Sequence, residues 1–422
     1  MRSWIVWSTG LIAYIVAVLN RTTFGVSGLD AADRFAAGPG VLSWFVVLQV
    51  IVYAAMQIPA GVLLDHFGPR RMIASGAAVM AVGQLVMGIT GSLPVAVSAY
   101  ALVGLGDALT FIAVIRLIPN WFPASRAPLL TQLTALCGQT GQILSAVPFV
   151  ALLLRSGWTV AYVSAAALSV MALALTLCLV RDTPHGHETH DEAPRLRRRL
   201  AAVPTVLSRP GTRLGFFTHM GTQFPLTVFV LMWGVPYLTR AQGLSRSSAS
   251  ALLTLSVLVF IVTGVLVGMF SGRHPSARPR LVLATIAGCA LMWAVVLALP
   301  TQAPHWLLVM LVVVISAAQP VSLLAFDFAR DFNPSASLGT AQGTVNMGGF
   351  LASLLVMQLM GLIIGAGDAW SFEAFRAAWL TQYLIWAIAA AAVVINARNV
   401  GRGGPARSVS DPAARVTPQK TP

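Results

Sequence analysis

The sequence predicts an all-α polytopic membrane protein, with twelve transmembrane helices in two pseudo-symmetric six-helix bundles. Three observations carry that reading. Of 422 residues, 57% are hydrophobic and only 9% charged, with a mean hydropathy of +0.79; a soluble domain carries about 25% charged residues. Apolar stretches of membrane-spanning length recur twelve times. The two halves of the chain also share a gapless internal similarity.

The stretches fall at roughly 4–26, 41–64, 72–91, 95–119, 129–154, 158–181, 211–238, 247–270, 280–300, 305–328, 338–365 and 374–396. Each approaches or exceeds the roughly 20 helical residues needed to cross the hydrocarbon. The breaks carry glycine, proline, serine and charge, as in GPG at 38–40, GSLP at 91–94 and SGRHPSARP at 271–279. Arg2 and the first apolar stretch have the outline of a signal peptide. No small-x-small cleavage site follows, so an uncleaved first helix is expected.

Arginine fixes the orientation. With both termini in the cytoplasm, the inner gaps hold Arg70 and Arg71, Arg126, Arg195 with Arg197 to Arg199, Arg273 with Arg278 and Arg280, and Arg330. Scattered residues such as Arg34, Arg155, Arg240, Arg246 and Arg376 fall outside. That imbalance is the positive-inside pattern of a cytoplasmic-membrane protein. The polar, basic gap 182–210 divides a six-helix unit at 1–181 from another at 211–397. It reads as a flexible tether at the anionic inner leaflet. The tail from Asn399, including 398–422, is expected to be disordered.

A shift of 211 residues lays RLIPNWFPASRAPLLTQLTALCGQ (116–139) over DFARDFNPSASLGTAQGTVNMGGF (327–350). Pro123 then meets Pro334, Gly138 meets Gly349, and Arg116 falls on Asp327. Parallel repeats of six spans imply an axis along the membrane normal and a cavity between the halves.

The loop GVLLDHFGPRR (61–71) lies between the second and third spans. It resembles the loop signature of the major facilitator superfamily, a likeness that extends over nearly the whole chain. The resemblance implies alternating access, with Gly61, Asp65, Gly68, Arg70 and Arg71 as a gating latch. Gly61 and Gly68 permit close helix approach and a tight turn. Asp65 can accept hydrogen bonds from the start of a facing helix, expected to be the eleventh near Leu338. The second-half copy, GMFSGRHPSARPR (268–280), matches loosely, with Gly268 and Gly272 at the places of Gly61 and Asp65. The fourth span, YALVGLGDA (100–108), has Tyr100 where the family signature has arginine. The fifth, GQTGQILSAVP (138–148), lacks the glycine spacing associated with drug antiporters. Within the superfamily, AYIVAVLNRTTFG (13–25) and IRLIPNWFPASR (115–126) resemble organic-anion and organophosphate carriers. The second-half arginine expected of the organophosphate group is absent, and the seventh span offers His219 and Gln223 instead.

Polar residues inside spans are costly and face the bundle interior. Arg21 shares a helical face with Tyr14 and suits a carboxylate or phosphate; alternatively it reaches the outer interface or pairs with Asp30 or Asp33. Gln139 and Gln142, His219 and Gln223, and Gln342 and Asn346 can supply hydrogen bonds to a polar substrate, or bind helix to helix. His219 can titrate near physiological pH. Asp107, midway along the fourth span, is the proton-coupling candidate, with Asp30 a second one at the outer mouth; a structural hydrogen bond is the alternative for Asp107. Arg116 and Asp327, pseudo-equivalent near the inner ends of spans four and ten, suggest an inner gate in which the two need not touch.

The net charge of +14 does not point to nucleic acid, because the arginines sit in short gaps between apolar runs and Lys420 is the sole lysine. Cys137, Cys178 and Cys289 read as small buried hydrophobes, with neither a disulfide nor a metal spacing. HGHETH at 185–190 lies in a polar linker and is not taken as a metal site. Trp44, Trp121 and Trp158 sit near span ends as interfacial anchors rather than as the wall of a drug pocket. No zinc-protease helix, nucleophile elbow or phosphate loop is present, so no enzyme activity and no cofactor are expected. The reading is a monomeric secondary transporter in the lipid bilayer, moving a small polar, anionic organic solute by proton coupling or exchange. The alternatives are a proton-driven exporter of drugs or lipophilic compounds, and a transporter-like sensor.

Overall fold

The computed structural model describes residues 1–36, 39–184, 196–365 and 370–403, with side chains described throughout except at 29, 32, 39–47, 402 and 403. The HGHETH tract, the side chain of Trp44 and the tail beyond Gly403 lie outside the described residues. Among the described residues, ten helical segments are long and apolar enough to span a membrane. Two of them are too long for a single crossing. The helix Pro39–Ile89 has 51 residues, about 77 Å at 1.5 Å per residue, against a hydrocarbon core of about 30 Å.

Each long segment is broken at one glycine. Gly68 has φ 78° and ψ 164°, and Gly157 has φ 82° and ψ 174°. That region is essentially closed to residues with a Cβ, so each glycine folds one apolar run into two antiparallel spans. Twelve spans result: α1 (Arg2–Val26), α2 (39–67), α3 (69–89), α4 (Leu93–Trp121), α5 (127–156), α6 (158–179), α7 (Pro210–Ala241), α8 (Arg246–Arg273), α9 (Pro275–Ala298), α10 (His305–Phe332), α11 (Ser335–Gly365) and α12 (Phe372–Gly401).

The helices form two bundles. One large apolar core is drawn wholly from α7 to α12, including the stacked pair Trp293 and Trp379 at 4.3 Å. Smaller cores fill the first bundle. Another joins the two, where Phe111 and Ile115 of α4 meet Phe326 of α10 and Leu338 of α11. Prolines mark departures from α geometry. A π-type turn at Ser145–Phe149 contains Pro148, and α10 is interrupted at Leu323, just past Pro320. A ring nitrogen without a proton cannot continue the i→i−4 ladder.

The side on which α6 ends and α7 begins is called the linker face. Residues Leu196–Ser208, expected to belong to a flexible tether, form a helix with Val206 buried. On its flank Arg199 donates to the Ala336 carbonyl at 2.7 Å, and Arg209 just beyond its end reaches Ser337 Oγ at 2.8 Å. The cysteines are not uniformly buried. Cys289 is buried, Cys137 half-buried and Cys178 exposed; on a membrane helix an apolar environment needs only lipid, so burial in protein does not follow from an apolar run.

Gly68 and Gly157 share a backbone geometry but differ in surroundings. A Cβ on Gly68 would come within 2.7 Å of Asp182 Oδ2, whereas one on Gly157 meets nothing within 4 Å. Gly157→Ala should therefore cost backbone strain alone, about 1–3 kcal/mol, and Gly68→Ala should cost more. Thermal unfolding of both detergent-solubilised variants checks this. Equal melting temperatures would mean that the Asp182 contact contributes nothing.

Candidate functional site

The two bundles touch from the midplane to the linker face. Asp65, at the end of α2, accepts the backbone N–H groups of Gly339 and Thr340 at 2.7 Å each and the Thr340 hydroxyl at 2.6 Å. A carboxylate thus caps the free amides and positive dipole end of α11 from the opposite bundle. The approach needs glycine. A Cβ on Gly61 would strike the Gly339 carbonyl, and one on Gly343 would strike the Gln57 carbonyl. Farther along the crossing, Asn346 Nδ2 donates to Gln57 Oε1 at 2.7 Å and to Tyr53 Oη at 3.2 Å.

Arg116 crosses as well. It bonds Asn120 within its own helix and donates to the Ser335 carbonyl at 3.0 Å. Asp327 stays in its own bundle, accepting from Ser271 Oγ at 2.6 Å and Arg330 at 2.8 Å. Arg278 completes that network through Ser271 and Asp331. The pseudo-equivalent charges therefore do not meet. Arg70 and Arg71 border Asp182, whose carboxylate accepts the Arg70 backbone N–H at 2.7 Å. Burial raises the Asp182 carboxyl above its usual range, against the opposing pull of Arg70.

Burial changes along α5. Thr131, Ala135 and Gln142 share one face of α5, since residues four and eleven apart nearly coincide around a helix. The first two are buried and Gln142 is exposed. The same face is covered near the linker side and uncovered beyond the midplane. Gln139 and Gln142 bond to one another there at 2.5 Å.

Within the first bundle Arg21 Nη1 meets Asp107 Oδ2 at 3.3 Å, with side-chain exposures of 24% and 0%. Asp30 and Asp33, considered as partners for Arg21, are not its partners; Asp30 lies in the first turn of a short far-face helix, Gly28–Phe35. Tyr100 Oη donates to the Arg21 carbonyl at 2.5 Å, and Tyr14 and Tyr53 lie within electrostatic reach of the guanidinium. Asp107 Oδ1 is buried and has no hydrogen-bond partner among the described residues. A row of rings underlies the pair and crosses between bundles: Tyr14 to Phe111 at 5.0 Å, Phe111 to Phe326 at 5.7 Å, and Phe326 to His219 at 5.6 Å.

The second bundle presents neutral groups. His219 Nδ1 accepts the Gly349 backbone N–H at 3.1 Å, so that nitrogen keeps its lone pair and the ring is uncharged while the contact lasts. Gln223 is engaged by Ser353 and Thr227, and Gln342 is buried with Oε1 unpartnered among the described residues. Trp121 and Trp158 make no contact with the Arg21–Asp107 pair among the described residues. Their Nε1 groups bond the Arg181 and Met87 carbonyls, which ties helix ends together.

The sequence reading missed Tyr53 and Gln57, an i,i+4 pair in an otherwise apolar stretch of α2, and Phe111 and Phe326. The first two carried the same signal as the other polar pairs. The two phenylalanines could not be distinguished from ordinary core.

Residues 10–357 match the Major Facilitator Superfamily. The probable galactarate/D-glucarate transporter GarP of Escherichia coli is 22% identical over 397 residues, covering 84% of this chain and 87% of that one. The probable sulfoacetate transporter SauU of Cupriavidus necator is 22% identical over 271 residues, covering 62% of this chain and 63% of that one. Among solved structures, FucP in its outward conformation superposes with a TM-score of 0.70 at 14% identity, covering 94% of this chain and 99% of that one. The family match takes in well over half of the chain, which belongs to the major facilitator superfamily and is a multi-pass membrane transporter.

Proposed function

We propose that the protein moves a small, polar, anionic organic solute across the cytoplasmic membrane by alternating access, driven by protons or by exchange. The observation that carries this reading is the Arg21–Asp107 pair, in which the carboxylate is buried and the guanidinium is partly exposed. Arg21 is one-quarter exposed there, and its planar fork suits a carboxylate or sulfonate. The relatives, a probable galactarate/D-glucarate transporter and a probable sulfoacetate transporter, support an anion. Tyr14, Gln139, Gln142, His219, Gln223, Gln342 and Asn346 are taken to complete the site from both bundles. Asp107 is taken as the proton-coupling group, with Asp30 at the far mouth.

In this reading the far face is extracytoplasmic, the linker face and both termini are cytoplasmic, and the protein acts as a monomer. The bundles comprise 1–181 and 211–397, joined by 182–210. Asp65, with Gly61, Gly68, Arg70, Arg71, Arg116 and Asp327, forms the gate on the linker face. Opening that gate requires the α11 amides to leave the Asp65 carboxylate.

Arg21→Ala should abolish anion binding and leave Asp107 buried without its cation, which costs about 3–5 kcal/mol for a fully buried pair and less here, where Arg21 is partly exposed. Arg21→Ala with Asp107→Asn should melt at a higher temperature than Arg21→Ala alone and still fail to bind. Thermal unfolding with and without sugar acids measures both effects. Undiminished binding in Arg21→Ala and Arg21→Lys would remove the anion clamp.

Asp65→Ala removes hydrogen bonds to a charged acceptor worth about 1.5–3 kcal/mol each. It should raise labelling of a cysteine placed at Ala341, which is buried between the bundles, by about tenfold or more, the effect of about 1.4 kcal/mol on an equilibrium. Unchanged labelling would mean that the cap does not hold the linker face closed.

A further inference from the structure

A small cavity lies between the bundles, on the linker side of the Phe111–Phe326 contact. It encloses about 10 Å³, room for one water molecule. Ile115 and Ile118 of α4, Thr131 of α5, Phe326 and Arg330 of α10, and Gln342 of α11 line it. Ile115 comes eight residues after Asp107, about 12 Å farther along the helix, so the cavity is separate from the Arg21–Asp107 pair. It sits just inside the gate, because Gln342 follows by two residues the Thr340 amide that Asp65 caps. Three of these side chains are polar. Arg330 gives Nη1 to Asp327 and Nε to Asp331 at 2.8 and 2.9 Å, and Nη2 enters neither bond. Gln342 is 1% exposed, and its Oε1 has no hydrogen-bond partner among the described residues. Thr131 adds a hydroxyl.

We propose that this cavity is a second binding site for the solute, used on the linker side of the transport cycle, and that it takes the carboxylate and the adjacent hydroxyl of a hydroxy acid. This rests on the anion-transport reading above. The polar groups divide between two parts of such a ligand. Arg330 Nη2 and the Thr131 hydroxyl can donate to a carboxylate. Gln342 Oε1 only accepts, and a carboxylate has no proton to give it, so its partner is the hydroxyl of the acid. An acid without that hydroxyl leaves Oε1 buried and unpaired, which is costly. Size fixes when the site is used. Room for one water excludes an acid while Asp65 holds α11, so the cavity admits the solute only after α4 and α5 separate from α10 and α11. Charge fixes how tightly it holds. Arg278 and Arg330 already cancel Asp327 and Asp331, so an acid on Arg330 brings a negative charge without a new cation. The site therefore holds its ligand weakly and releases it readily.

The test uses the full-length protein in membrane vesicles of two orientations, which present either the far face or the linker face to the medium. Transport rates are compared for acids that differ only in the hydroxyl next to the carboxylate: D-gluconate with 2-deoxy-D-gluconate, D-galactonate with 2-deoxy-D-galactonate, and glycerate with 3-hydroxypropionate. In at least one pair the linker-face KM should be about fivefold lower for the acid that carries the hydroxyl, the worth of one hydrogen bond. Thr131→Val should raise the linker-face KM of that acid by about fivefold and leave its far-face KM within about twofold. Thr131→Ser, which keeps the hydroxyl, should behave as the wild type. Gln342→Leu should abolish the preference for the hydroxyl at the linker face. A Thr131→Val effect that is equal at both faces or missing at the linker face, or a hydroxyl preference there that survives Gln342→Leu, overturns the second site and leaves anion transport standing. If none of these acids is transported, the hydroxy-acid site falls. Transport undiminished in Arg21→Ala brings down the anion reading as well.

Discussion

A charge at membrane depth must be balanced, and the rest of the site is arranged around that constraint. Arg21 and Asp107 come from helices whose residues are 86 positions apart in sequence, and they meet at 3.3 Å. Neither is tolerable alone in a low-dielectric interior. Tyr100 holds the backbone of Arg21 in place, and among the described residues His219 and Asn346 of the second bundle add no competing cation. The other buried charges, Arg278, Arg330, Asp327 and Asp331, close on one another near the linker face. Under the proposed function, a solute that engages Arg21 exchanges one charge balance for another, with Asp107 as the proton-coupling group.

The closure of the linker face follows a second rule, that helix ends need partners. The first amides of α11 have none within their own helix, and Asp65 supplies them from the other bundle. Glycines at 61, 339 and 343 remove the side chains that would hold the two backbones apart. Parting the bundles there costs these hydrogen bonds and the apolar contacts of Phe111 and Ile115 with Phe326 and Leu338, and leaves the core within α7 to α12 intact. The core of α7 to α12, with its stacked tryptophans, behaves as a unit in such a motion. Arg116 adds one bond across the gap, while Asp327 adds none.

Much of the fold was legible because membrane helices must be long and apolar and because glycine and proline mark their ends. The Gly61–Arg71 loop predicted a contact between Asp65 and the start of α11, and the structure has that contact. Arg21 and Asp107 were each visible as polar residues within spans, but their pairing was not. It depends on how α1 packs against α4, which no local pattern encodes, and near neighbours such as Asp30 and Asp33 were the natural partners to consider. The ordered helix at 196–208 was also hidden, because its polar, arginine-rich composition resembles a tether and its order comes from bonds to Ala336 and neighbouring residues. The Phe111–Phe326 floor could not be told from core, since a phenylalanine at the base of a site and one in a core look alike in sequence.

The most direct test of the account is the infrared difference spectrum of the purified protein on adding a singly charged acid that stabilises it. The account predicts a new carbonyl band from a protonated carboxyl group, absent in Asp107→Asn. A spectrum without that band, or a band that persists in Asp107→Asn, would contradict the proposal that Asp107 is the proton-coupling group.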